Sequence, residues 1–190
     1  MALAHTILVL LMEEPKSGYG ISKRFGEDVG CFWQASQQQI YRELAKMERM
    51  GWISPTVIAQ EGKPDKKVYA IAEAGRRELL QWCNEPTMPT PIREDLMVRT
   101  LAAPYLDREI LIAEIQHRRQ IHQAMLEHLG ERDRWFRSQP DLSPEDRCRY
   151  FTLKRGISYE RSWVDWCNEM LDVLQDPDFL QGELPDERRV

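Results

Sequence analysis

FWQASQQQIYRELAKMERMGWI, residues 32–53, decides the fold of this chain. Ser36 stands where a helix begins, its hydroxyl placed to accept from backbone N–H groups of the first turn. Gln37, Gln38 and Gln39 follow, in a turn where the helix dipole ordinarily draws acids. Ile40, Leu44, Met47 and Met50 then recur at helical spacing, an apolar stripe that must bury. Gly51, free to turn left-handed, ends the helix. A helix with a buried stripe and amides at its N-terminal end suits the DNA major groove. Gln pairs bidentately with adenine N6 and N7, and a helix N-terminus favours nearby phosphate.

Downstream, residues 53–57 form a short β-branched run, and Val68, Tyr69 and Ile71 form a second. Between them EGKPDKK, residues 61–67, supplies the turn formers Gly62, Pro64 and Asp65 and the lysines Lys63, Lys66 and Lys67. Two strands with a basic tip make a hairpin that can lie along the phosphate backbone. Either piece alone reads as an ordinary helix or a solvated turn. In this order and spacing they predict a winged helix-turn-helix.

Upstream, residues 3–12 are nearly all apolar, too short for the roughly 20 residues that cross a bilayer and without a basic flank or cleavage site. They predict a buried first helix ending near Pro15. SGYGI, residues 17–21, opens a second helix with Ile21 and Phe25 inward and Lys23 and Arg24 outward. After the wing, residues 73–84 predict a fourth helix carrying Leu79, Leu80 and Trp82.

Three of these segments, SGYGI, SQQQIYRELAKMERMGWI and KVYAIAEAGRREL, together resemble the PadR-type transcriptional regulators. The FW-A-S-QQIYREL phrasing is most similar to the AphA-like virulence-activator branch. The motifs cover about the first 85 residues, and the helical remainder is compatible. The resemblance implies a dimeric winged-helix DNA-binding protein with a C-terminal helical dimerisation region. It implies that Tyr41 and Arg42 contact the DNA backbone, although Tyr41 is equally suited to pack between helices. It also implies a small aromatic effector or a regulating protein partner. Trp33, Trp163 and Trp166 are the candidates to line an effector site, against the commoner use of such rings as core. The chain departs from the family at Ala72, where Thr is usual and where alanine cannot cap the fourth helix, so that helix boundary is in question.

A formal charge of −5 runs against a phosphate-binding role until the chain is divided. The first 85 residues carry 11 basic and 11 acidic side chains, so the whole excess of acid lies in the remainder. The lysine-bearing half can face DNA, but the electrostatic term is modest and needs base contacts and dimerisation beside it. Hydrophobic content of 42% with 30% charged residues fits a soluble globular chain. Cys31, Cys83, Cys148 and Cys167 have no ligand or disulfide spacing, which points to reduced thiols in a cytoplasm. His117, His122 and His128 share a predicted helix but not the spacing of a metal pair, and are expected at the surface or in a seam. No cofactor motif is present.

Residues 85–91, EPTMPTP, hold three prolines and read as a semi-rigid linker. The expected organisation is a DNA-binding domain over 1–85, a linker over 86–92, a helical dimerisation domain over 93–176 and a tail over 177–190. In the second half, residues 93–101 predict a short helix. Asp107 caps a long one reaching about Phe136, with Leu106 and Leu111 as a hydrophobic staple. Ser143 and Pro144 open the last. Along it Tyr150, Leu153, Ile157, Val164, Cys167, Leu171 and Leu174 follow a coiled-coil spacing interrupted only by Glu160. A second stripe, Tyr159, Trp163, Trp166, Met170 and Val173, runs beside it. Two stripes exceed what one neighbouring helix covers, so Leu153, Ile157, Val164, Leu171 and Leu174 are expected to pack partly on a second chain.

The function that follows is sequence-specific DNA binding by a homodimer on a palindromic operator, with repression favoured over activation. Ser36, Gln37, Gln38 and Gln39 would face bases and nearby phosphates, and Lys63, Lys66 and Lys67 would grip flanking phosphates. Tyr19 and Lys23 are weaker candidates for backbone contact. An enzyme is disfavoured: there is no phosphate loop or nucleophile motif, and Glu94 and Asp95 read as first-turn acids. A dimeric adaptor that uses its winged helix against protein is the remaining alternative.

Overall fold

The apolar run at the start of the chain forms α1 (Ala2–Glu13), buried around most of its circumference through Ala4, Ile7, Leu8, Leu10 and Leu11. In the computed structural model, residues 2–26, 35–59, 62, 65–176 and 179–180 are described. The chain divides into two compact units, Met1–Pro89 and Thr90–Val190.

In the first unit, α1 leads through β1 (Lys16–Ser17) into α2 (Gly18–Arg24), whose start is capped by Ser17 Oγ accepting from Gly20 N–H at 3.2 Å. The deciding helix is α3 (Gln37–Arg49), followed by β2 (Ile53–Ile58), β3 (Lys66–Ile71) and α4 (Glu73–Cys83). β2 and β3 pair antiparallel from Ile53 opposite Ile71 to Ile58 opposite Lys66. β1 adds to the far side of β3, so the sheet order is β1-β3-β2. The third strand was not expected: two residues are too few to display a strand pattern.

The end of α3 is closed by a full left-handed cap. Gly51 has φ 68°, its N–H donates to Glu48 O at 3.0 Å, and Trp52 N–H donates to Met47 O at 3.0 Å. The same Trp52 then seats α4: its carbonyl accepts from Ala72 N–H at 2.9 Å, and a Cβ at Gly75 would collide with that carbonyl oxygen. Ala72 makes no side-chain cap, yet α4 still begins at Glu73, with Ala72 in the extended N-cap conformation and its N–H donated to Trp52. Leu79 is buried while Leu80 is 64% exposed, so only one of the two adjacent leucines serves the core. His5 joins α1 to α4, with Nε2 3.2 Å from Glu78 Oε1 and its ring stacked 4.5 Å from Trp82.

The second unit begins with α5 (Asp95–Leu101) and a single 3₁₀ turn, Ala103–Tyr105. Two long helices follow, α6 (Arg108–Ser138) and α7 (Pro144–Val173). Contacts pair Arg119 with Asn168, His122 with Glu160 and Asp133 with Tyr150, so the two run antiparallel. Asp107 and Ser143 cap them as expected, through Glu109 N–H and Asp146 N–H.

Much of the stripe expected to pack partly on a second chain is covered within this one. Leu153, Val164 and Leu174 are buried within the single chain, and Ile157 and Leu171 are half-buried. The short connection 139–143 returns α7 along α6, so the chain's own helix covers that stripe first. Glu160 does not interrupt the seam. It is buried in it, 2.6 Å from His122 Nδ1. His122 is thus a core residue, and its Nε2 is buried without a hydrogen-bond partner. Part of the second stripe is taken up by α5 and the 3₁₀ turn, whose Leu96, Met97 and Ala103 pack in one cluster with Trp163, Trp166 and Met170, while Tyr159 stays 43% exposed.

Candidate nucleic-acid interface

The N-terminal turn of α3 is held by a reciprocal cap. Ser36 Oγ accepts from Gln39 N–H at 3.2 Å, and Gln39 Oε1 accepts from Ser36 N–H at 2.8 Å. Sequence reading expected both side chains to face bases and nearby phosphates, with the Ser36 hydroxyl also capping the helix. The structure places the two in a reciprocal cap, and the S-x-x-Q spacing is the signal for the part that Gln39 plays. Gln37 and Gln38 lie in the same turn, exposed, with no hydrogen-bond partner among the described residues and no acid beside them. They are the amides with free donors and acceptors.

The position of that turn is set from behind. Ile40, Leu44 and Met47 are 0% exposed, which locks the opposite face of α3 into the core of the first unit. The exposed face continues with Tyr41, Arg42, Lys46 and Arg49. Arg42 and Arg49 make no ion pair among the described residues, and Lys46 Nζ lies 3.5 Å from Glu43. Sequence reading passed over Lys46 and Arg49. Their four- and seven-residue offsets from Arg42 put them on its face, opposite Ile40, and carried that information.

Tyr41 is both packed and open to solvent. It is 43% exposed, yet its ring covers Gly18, where any side chain would meet it. Tyr19, at the start of α2, is 68% exposed, and Lys23 is exposed on the same helix. In the hairpin Lys66 is exposed and unpaired among the described residues. Lys67 is engaged: its Nζ donates to Glu48 Oε2 at 2.7 Å and lies 5.4 Å from the Tyr69 ring centroid. Donating that hydrogen bond to Glu48 pushes the Lys67 ammonium above its ordinary pKa. Burial pushes the Tyr69 phenol up in turn. Lys63 and Trp33 lie outside the described residues.

Trp163 and Trp166 are engaged with neighbouring rings and a guanidinium. Trp163 stacks on His122 at 5.0 Å with the rings 1° from parallel, meets Trp166 edge-on at 5.6 Å, and has the Arg118 guanidinium 5.4 Å from its centroid. Arg118 also pairs with Glu94 at 3.1 Å. Partial burial pushes Glu94 up, but hydrogen bonds from Arg118 and Leu96 N–H and the Arg118 charge outweigh it and hold the carboxyl below its ordinary range. An open groove of about 450 Å³ between α6 and α7 is lined by Arg119, Gln123, Glu127 and Asn168 among others, and by neither tryptophan. Among the described residues no group of three His, Cys, Asp or Glu could hold a metal, and no helix is long and apolar enough to cross a membrane.

Two family signatures match the chain: "Transcriptional regulator PadR-like family" over residues 7–81 and "Virulence activator alpha C-term" over residues 92–175. A probable transcriptional regulator of Mycobacterium tuberculosis is 38% identical, over 93% of this chain and 99% of its own. The negative transcriptional regulator PadR of Bacillus subtilis is 29% identical, over 90% of this chain and 97% of its own. The structure of that PadR in complex with operator DNA superposes with a TM-score of 0.80, covering 92% of this chain and 99% of that one at 28% identity. Its complex with p-coumaric acid gives 0.72 at 25% identity, covering 92% and 96%. The virulence activator AphA of Vibrio cholerae gives 0.76 at 29% identity, covering 91% and 98%.

Proposed function

This chain belongs to the PadR-like family of transcriptional regulators, and on that premise we propose that it is a sequence-specific repressor acting as a homodimer on a palindromic operator. The observation that carries the proposal is the free pair Gln37 and Gln38, exposed at the tip of a helix whose other face is fixed in the core. Such amides match adenine edges in the major groove. Arg42, Arg49 and Lys66 add cations for flanking phosphates, with Tyr19, Lys23 and Tyr41 beside them. The operator-bound PadR of Bacillus subtilis supports the DNA partner, and its description as a negative regulator supports repression.

Two copies are needed because one recognition helix reads only a few base pairs. A dimer places two of them about 34 Å apart, in successive major grooves. With Leu153, Val164 and Leu174 used internally, the apolar surface left for a second chain includes Val98, Leu101, Tyr105 and Ile110, each 61% exposed or more. An aromatic acid effector is supported by the p-coumaric acid complex of the Bacillus relative. Here such a ring would have to part Trp163 from His122 or occupy another site.

The test is fluorescence anisotropy of the full chain on its own upstream duplex and on an unrelated one. Tighter binding to the upstream duplex, lost by Gln37→Ala/Gln38→Ala with the dimer intact, is the expected result. A loss of roughly 1,000-fold or more follows from four such contacts per dimer, worth ~1–3 kcal/mol each. Equal affinity of the wild type and the double variant would sink the assignment and favour the protein-binding adaptor, for which the neutral first half is the supporting observation.

A further inference from the structure

One cation of the interface is already occupied by an anion from the protein itself. Lys67 stands on β3 opposite Val57, and its Nζ donates to Glu48 Oε2, 19 residues away in the last turn of α3, at 2.7 Å. The contact joins the recognition helix to the wing. It is not a core contact, since the two side chains remain 43% and 32% exposed. Arg42, Arg49 and Lys66 are exposed on the same two elements and make no ion pair among the described residues. Lys46 pairs with Glu43 inside its own helix, whereas Lys67 pairs across elements.

We propose that Glu48 is an internal stand-in for phosphate that holds Lys67 in the free protein and thereby lowers its affinity for DNA of any sequence. The inference rests on the DNA-binding reading above and names a regulation of that same surface. A carboxylate and a phosphate present the same kind of acceptor to an ammonium. To reach the DNA backbone, Lys67 must exchange one for the other. The exchange leaves the Glu48 carboxylate unpaired beside a polyanion, which opposes binding. Because the pair is exposed and screened, it is weak enough to open, so Lys67 is restrained rather than locked. The opposition does not depend on base sequence. It therefore limits how long the protein stays on non-operator DNA, while base contacts set the operator preference.

Salt supplies a signature that a general loss of negative charge lacks. A free lysine that neutralises a phosphate releases condensed counterion and steepens the dependence of log K on log salt by about 0.9. A lysine that merely trades a carboxylate for a phosphate contributes little, because the abandoned carboxylate takes up cation. Glu48→Gln removes the anion and keeps the shape. Anisotropy titrations of the wild type, Glu48→Gln, Lys67→Gln and the double variant, on the upstream and an unrelated duplex over a salt series, test the proposal. Glu48→Gln is expected to bind both duplexes roughly three- to tenfold tighter at low salt, the scale of two exposed ion pairs per dimer. Its salt slope should steepen by about two. The double variant should lose both gains.

A Glu48→Gln variant no tighter than wild type, or a gain that persists without Lys67, overturns the proposal and leaves the DNA reading standing. A wild type that binds neither duplex at the lowest salt overturns the DNA reading, and the proposal falls with it. Thermal midpoints of all four proteins check that the substitutions act on binding and not on folding.

Discussion

Helices α3 and α7 are both amphipathic, and they put their polar residues to opposite uses. α3 buries Ile40, Leu44 and Met47 and presents Gln37, Gln38, Arg42 and Arg49 to solvent without partners among the described residues. α7 buries Leu153, Val164 and Cys167 and draws Glu160 into the same seam against His122. A polar group left exposed and unpaired on a rigid face is available to a ligand. One paired and buried inside a seam fixes register, at a cost in desolvation. The contrast separates a face whose polar groups are open from one whose polar groups are spent inside the fold.

If that contrast holds, substitutions in the α7 seam should act on stability and substitutions at the α3 tip on binding alone. The largest effect on stability is expected at His122→Ala, which strands the Glu160 carboxyl in the seam and should lower unfolding stability by about 3 kcal/mol. Replacing both partners with leucine should recover most of it. Denaturant midpoints measure both, and an unchanged midpoint for the single variant would break the comparison. Gly75→Ala comes next, at about 2 kcal/mol, because its methyl would meet the Trp52 carbonyl, which a flexible side chain cannot relieve.

A gain should follow at Ala72→Thr. The position has the extended N-cap conformation, φ −90° and ψ 165°, but no capping hydroxyl, so restoring one should add about 1 kcal/mol. A fall in melting temperature would mean that the seating on Trp52 leaves the hydroxyl no room. The smallest effect on stability belongs to Gln37→Ala and Gln38→Ala, within about 0.5 kcal/mol, while operator binding collapses. Matching losses of stability and binding would show that these amides belong to the fold.

The parts of the molecule legible in its sequence were those decided within a few residues. Ser36 as a cap, Gly51 as a stop and the two β-branched runs around a basic turn are local signals, and the first unit follows from them. The stripe on α7 was legible too, but periodicity says only that a face is covered, not by which helix. α5 was underestimated as a neighbour because seven residues display little more than one repeat of the helical pattern. The pairs His122–Glu160 and Lys67–Glu48 join positions 38 and 19 residues apart, beyond any spacing rule, and tertiary packing alone brings them together. Gln39 is a different case. Its spacing from Ser36 was in plain view, and the run of three identical residues disguised the one that differs in role.

The division of labour in that run bears on how such a protein changes over generations. Ser36 and Gln39 hold the helix terminus by themselves, so positions 37 and 38 are exposed and owe nothing to the cap. Residues there can be exchanged for others with a different preference for bases while the terminus stays closed. A regulator built this way can drift from one operator to another through viable intermediates, because every step along the path still folds.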